Sequence, residues 1–141
     1  MSEAMVFTSK VTVRYQETDQ MGVAHHSVYP VWFEVGRSEF IRSCGVPYGK
    51  MESAGLYLPM VEMQCKFHSF SRYEDELDVM TRVSLATKTR HNFSYEVYRE
   101  KTLIASGATM HIYANRELKP VNLQKYMPEL YELFQRLADR V

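Results

Sequence analysis

The sequence lacks the features that would tie it to an extracellular, membrane or nucleic-acid setting. It has only two cysteines in 141 residues, Cys44 and Cys65. They form neither a CxxC pair nor a disulfide framework, so a reducing cytoplasmic location is expected. Charge of one sign is not in excess: Lys+Arg and Asp+Glu both number 17. Nucleic-acid binders need a positive surplus because phosphate contacts supply most of their affinity, so no nucleic-acid partner is expected. No apolar run approaches the ~18 residues of a membrane span, and the opening Met-Ser-Glu-Ala-Met-Val has no basic stretch leading into an apolar one. Neither export nor stable membrane insertion is expected. Linker-like stretches, charge blocks and internal repeats are also missing, so residues 1–141 read as a single domain.

What remains is 45% hydrophobic and 13% aromatic, ample for one core without disulfides or metal. From Lys10 the chain alternates, with Val11, Val13 and Tyr15 on one side, as a half-buried strand does. Between about Val28 and Cys44 the period changes: Tyr29, Trp32, Phe33, Gly36, Phe40 and Cys44 recur at three- and four-residue steps. Ser27 is the expected N-cap, Pro30 fits the first turn, and Gly45 with Pro47 supplies the stop. Residues 45–58 show no period and read as a loop. Period two then returns in Val61/Met63/Cys65/Phe67, Leu77/Val79/Thr81/Val83/Leu85 and Phe93/Tyr95/Val97, followed by a less regular run from Leu103 to Ala114. Polar breaks at Lys88–Asn92, Glu100–Thr102 and Asn115-Arg116 suit hairpins. Met127, Leu130, Leu133, Phe134, Leu137 and Val141 mark a closing amphipathic helix. The expected class is α+β: a curved antiparallel five-stranded sheet around a long central helix, with a C-terminal helix. A helix about 10–12 Å across cannot fill such a sheet, so an outer face rich in Met and Tyr is expected to meet another subunit.

The segment from Val13 to Glu34 carries the chemistry. It sets a carboxylate, Asp19, between a strand and the start of a helix expected to be buried. A helix N-terminus presents unpaired N–H groups that stabilise an oxyanion, and a nearby carboxylate can attack a carbonyl or activate water. The same Asp followed three residues later by Gly22 is also an ordinary turn signal, the Asp accepting from its own backbone and the Gly taking positive φ. His25-His26 lacks a second pair at metal-ligand spacing, and His68, His91 and His111 are scattered, so no metal is expected.

Tyr15, Thr18, Asp19, Gly22, His26, Trp32, Phe33, Glu34 and Arg37 together resemble the active-site signature of the 4-hydroxybenzoyl-CoA thioesterase branch of the hotdog-fold family. They are most similar to the bacterial acyl-CoA thioesterases associated with the Tol-Pal system. The resemblance implies a hotdog fold and hydrolysis of acyl-CoA to free acid and CoA without a cofactor. It implies Asp19 as nucleophile or general base, and the backbone N–H at His26 as the group that polarises the thioester oxygen. It also implies a homodimer or homotetramer with the site at a subunit interface. Tyr15 and Tyr29 are candidates for the acyl pocket, though both suit a core equally well. Arg72, and the basic turn of Lys88, Arg90 and His91, are candidates for the CoA phosphates on charge alone. A non-catalytic acyl-CoA binder or an envelope-complex interaction protein on the same fold is the alternative.

Overall fold

The computed structural model describes residues 5–139. Residues 1–4, on which the reading of the chain's opening partly rests, and Val141 lie outside the described residues. The element order is β1 (Val6–Thr12), α1 (Tyr29–Ser43), α2 (Tyr48–Ser53), β2 (Met60–Phe67), β3 (Glu76–Ala86), β4 (Arg90–Arg99), β5 (Thr102–Ile112), α3 (Leu123–Tyr126) and α4 (Pro128–Leu137). The five strands form one antiparallel sheet in the order β1-β3-β4-β5-β2, which leaves β1 and β2 as edges. No described helix is long and apolar enough to cross a membrane.

α1 lies across one face of the sheet, and its buried residues Tyr29, Trp32, Phe33, Gly36, Phe40 and Ile41 match the expected stripe except at its C-terminal end. There Ile41 replaces Cys44, which is the C-cap and only half-buried. Gly45 follows at φ +86°, a left-handed conformation that releases the chain from the helix. Two glycines set how closely helix and sheet approach. A Cβ on Gly36 would collide with Thr81 Oγ1 and stand 3.1 Å from Val79 Cγ1. On Gly107 it would stand 2.6 Å from both Gln64 O and the ring of Phe33, which stacks on Tyr95 at 4.3 Å. Gly36→Ala is therefore expected to lower stability by about 1–2 kcal/mol, overpacking outweighing the gain in helix propensity. A urea midpoint equal to or above wild type would contradict this.

Several expectations need correction. Ser27 does not cap α1: it lies inside a 3₁₀ turn over His26–Val28 that runs into the helix. This turn is capped by His25, whose ring accepts from the Ser27 N–H, and α1 itself has Val28 at its N-cap position with no side-chain cap. Residues 45–58 contain α2, begun by Pro47 and anchored by the buried Met51. At six residues it is too short to show a period. In β3 the alternation holds from Leu77 to Val83. A bulge then turns Leu85 outward and Ala86 inward. Tyr15 leaves the strand altogether and sits, 76% exposed, in a 3₁₀ turn over Tyr15–Glu17. The closing helical region is split at Met127 into α3 and α4, with Phe134 buried against His91 and Tyr113.

The outward face of β3–β5 is mixed, with Met80, Tyr98 and Met110 interspersed among Asp78, Arg82, Ser94, Glu96 and Ser106. A group of exposed apolar side chains lies instead on edge strand β2 and the loop after it: Met60, Val61, Met63, Phe67, Phe70 and Tyr73.

Candidate active site

The segment between β1 and α1 is built from local hydrogen bonds. Glu17 is buried and accepts from the Arg14 backbone N–H at 2.8 Å and from its guanidinium at 3.1 Å, which locks the 3₁₀ turn. From there the chain forms a small hairpin. The His25 N–H donates to Glu17 O, Thr18 bridges Ala24, and the Asp19 N–H donates to Val23 O. Its tip closes through the Gly22 N–H onto Asp19 O, with Gly22 at φ +79°. Asp19 Oδ1 accepts the Met21 N–H at 2.9 Å.

The turn reading of Asp19 is thus realised in full, and it does not exhaust the side chain. One carboxylate oxygen is held by the turn, while Oδ2 has no partner among the described residues and the residue is only half-buried. The returning arm of the hairpin runs directly into a 3₁₀ turn over His26–Val28 and then α1. The Ser27 N–H and Oγ both lie against His25 Nδ1, at 3.2 and 2.8 Å. Since the N–H can only donate, Nδ1 is an acceptor and the neutral His25 ring carries its proton on Nε2. The Val28 N–H is taken by His25 O. The N–H of His26 is left as the first donor of the helical run with no acceptor among the described residues. Its exposed ring lies 4.1 Å from that of His25.

A second loop, residues 68–75, closes against this hairpin. Ser71 O accepts the Ala24 N–H at 2.8 Å, and Ser71 Oγ is hydrogen-bonded to the Tyr29 hydroxyl at 2.9 Å. Tyr29 is buried between Trp32 and Phe67, and burial raises the pKa of its hydroxyl. It forms a wall of the site rather than an open lining. Tyr15 packs edge-on to Tyr73 at 5.6 Å. Arg72 is exposed, with its side chain unpartnered among the described residues and its N–H on Asp75. Asp19, His26, Tyr15, Tyr29 and Arg72 thus share one end of the molecule.

Lys88 and Arg90 do not join them. They lie at the β3–β4 turn, at the far end of an 11-residue strand, roughly 35 Å away at ~3.3 Å per residue. His91 is no turn residue at all. Strand β4 begins at Arg90, so His91 points inward, fully buried and bonded to Tyr113. Sequence reasoning also missed Glu17, His25 and Ser71. The first two carry a local signal, a carboxylate three residues after Arg14 and an acceptor two before Ser27. Ser71 carries none, being 42 residues from Tyr29. The described residues contain no group of three or more His, Cys, Asp or Glu that could hold a metal.

Comparison with known proteins places this geometry. A family model described as the thioesterase-like superfamily matches residues 13–132. A Bacillus subtilis protein named as a putative acyl-CoA thioesterase, YneP, is 30% identical over 133 residues, covering 93% of this chain and 96% of its own. A Thermus thermophilus crystal structure superposes with a TM-score of 0.88 at 33% identity, covering 96% of this chain and 100% of that one. A Staphylococcus aureus structure described as a DHNA-CoA thioesterase gives 0.89 at 30% identity, covering 94% and 90%. The sheet and central helix are those of the hotdog fold expected from the sequence.

Proposed function

The chain belongs to the thioesterase-like superfamily, and on that premise we propose that it hydrolyses acyl-CoA thioesters, with Asp19 as the catalytic carboxylate. The observation that carries this reading is the Asp19 hairpin, which fixes one carboxylate oxygen on the Met21 N–H, leaves the other open, and leads straight into the start of α1. The His26 N–H takes the thioester oxygen, and the growing negative charge on that oxygen is met by a donor needing no reorganisation. Asp19 either adds to the carbonyl carbon, with water then releasing the acid, or removes a proton from water as it adds. In both routes the C–S bond breaks, one water is consumed, and the products are a carboxylic acid and the CoA thiol. The finer placement in the 4-hydroxybenzoyl-CoA thioesterase branch, next to the Tol-Pal-associated enzymes, rests on the motif from Tyr15 to Arg37. The two free thiols, Cys44 and Cys65, suit a reducing compartment and hence a cytoplasmic location.

The same reading assigns β2 to a homodimer. An edge strand with Met60, Val61, Met63 and Phe67 between 41% and 53% exposed is an aggregation hazard unless covered. A two-fold axis pairing β2 with its copy covers it without leaving an open end. Sedimentation is expected to show no substantial monomer at micromolar concentration, and Met63→Lys to release monomer. A wild-type monomer under those conditions would remove the interface from the account. The reaction itself is tested by thiol release from short, medium, long and aromatic acyl-CoAs. At least one ester is expected to be hydrolysed well above buffer, whereas binding without hydrolysis of any would favour the acyl-CoA-binder alternative.

A further inference from the structure

Glu17 is the only buried carboxylate among the described residues. It sits at the root of the Asp19 hairpin, and both of its oxygens are taken. Oε1 accepts the Arg14 N–H at 2.8 Å, and Oε2 accepts from the Arg14 guanidinium at 3.1 Å. The two bonds differ in weight. The Arg14 side chain is 60% exposed, so solvent screens the ion pair. The Arg14 N–H belongs instead to a fixed stretch of backbone. The preceding Val13 is fully buried, its N–H donates to Asp75 O, and its carbonyl accepts the Glu74 N–H.

The backbone of Glu17 belongs to the hairpin itself. Its carbonyl accepts the His25 N–H at 2.8 Å, while its N–H is held by Arg14 O at 2.9 Å. The bond to His25 is the rung that joins the two arms of the hairpin at their base. Asp19 lies two residues beyond Glu17 on the outgoing arm, and His26 follows His25 on the returning one. The returning arm has an anchor of its own, the Ala24 N–H on Ser71 O at 2.8 Å. On the outgoing arm the Glu17 side chain ties the hairpin back to the backbone that follows β1. Without that tie the Glu17 peptide is free to rotate, which would break the rung and move Asp19 relative to the His26 N–H. Reacting groups displaced by about 1 Å lose on the order of 10² in rate.

We propose that Glu17 is a positioning residue: by accepting the Arg14 N–H it aims its own carbonyl at His25 and so sets the Asp19 carboxylate against the His26 N–H. The inference rests on the thioesterase reading, and it assigns the effect to the acceptor rather than to the charge. Two variants of similar side-chain length separate these. Glu17→Gln keeps an acceptor for the Arg14 N–H, and the exposed Arg14 side chain can turn to water; Glu17→Met fills the same space with none. The test measures kcat and KM on the acyl-CoA that wild type hydrolyses best, together with the exchange rate of the His25 N–H, under conditions where urea curves show each protein folded. Glu17→Met is expected to lower kcat at least about tenfold with KM within about twofold, and Glu17→Gln to keep kcat within about threefold. The His25 N–H is expected to exchange at least about tenfold faster in Glu17→Met than in wild type or Glu17→Gln. Should Glu17→Met not fold, Glu17→Ala takes its place with the same expectations. Equal kcat in the acceptor-free and Gln variants, whether both are retained or both lost, overturns the proposal. So does a raised KM with kcat intact. If wild type hydrolyses no ester, the thioesterase reading fails and exchange decides: a tenfold gap between the two variants sustains Glu17 as the residue that orders the hairpin, and equal rates overturn it.

Discussion

Acidification from pH 6.5 toward pH 5 is expected to remove several kcal/mol of folding stability, before most carboxylates are protonated. Two buried histidines are the cause. Burial, aided by the nearby His111, pushes His91 down to about 3, and burial pushes His111 down to about 4. His91 Nδ1 is occupied by the Tyr113 hydroxyl and its Nε2 is buried without a partner, so a protonated ring would have at least one N–H with no acceptor. For His111, protonation puts a proton on Nε2, which now faces the Thr109 hydroxyl. Both pKa values are lowered by folding. Between pH 4 and 6.5 the unfolded chain therefore binds more protons than the folded one, and stability rises with pH. Each histidine contributes a slope that approaches roughly 1.4 kcal/mol per pH unit in the middle of that window and falls to about half at its edges. Urea midpoints at pH 7, 6 and 5 are expected to fall accordingly, and His91→Gln, which retains a hydrogen-bonding group toward Tyr113, to flatten the fall by about half. A pH-independent midpoint over that range would show that these rings are not held neutral.

His91 also illustrates what the linear sequence conceals. Set among Lys88, Arg90 and Asn92, it reads as part of a basic turn. Only the register of β4 against β5, His91 opposite His111, turns it inward. Long periodic elements were legible because burial imposes their spacing. α1 could be read from Tyr29 to its glycine stop, and β3 from Leu77 to Val83. Its last residues could not be read, because a bulge reverses which side chains face the core. α2 escaped notice because six residues make fewer than two turns. The same division holds for the site. Asp19, Gly22 and His26 lie in one continuous segment whose hairpin closes by local bonds, so their grouping is written in the sequence. The placement of Ser71 depends on packing between distant segments and leaves no local trace. Lys88, Arg90 and Arg72 carry no signal beyond their charge, and within one chain the length of β3 separates the first two from the third.

The largest effect on activity is expected from Asp19. On the proposed reading the side chain has two tasks, holding the hairpin tip through Oδ1 and supplying a carboxylate toward the helix start. Asparagine keeps the first, since its Oδ1 can still accept the Met21 N–H, and abolishes the second because an amide is neither a base nor an effective nucleophile. Alanine removes both. Asp19→Asn is expected to retain wild-type stability within about 0.5 kcal/mol, as surface-type changes do, while Asp19→Ala loses about 1 kcal/mol with its hydrogen bond. Both are expected to lower kcat by about 10²–10⁴, the range contributed by a positioned acid–base group. A purely structural Asp19 would give a different pattern, with activity following stability and Asn close to wild type.

The decisive measurement is thiol release by wild type and Asp19→Asn, side by side, on the acyl-CoA that wild type hydrolyses best, with urea midpoints taken on the same preparations. The account predicts matched midpoints and a loss of at least a hundredfold in kcat for Asp19→Asn. Matched midpoints with hydrolysis within a few-fold of wild type would contradict it, and Asp19 would then be a turn residue and nothing more.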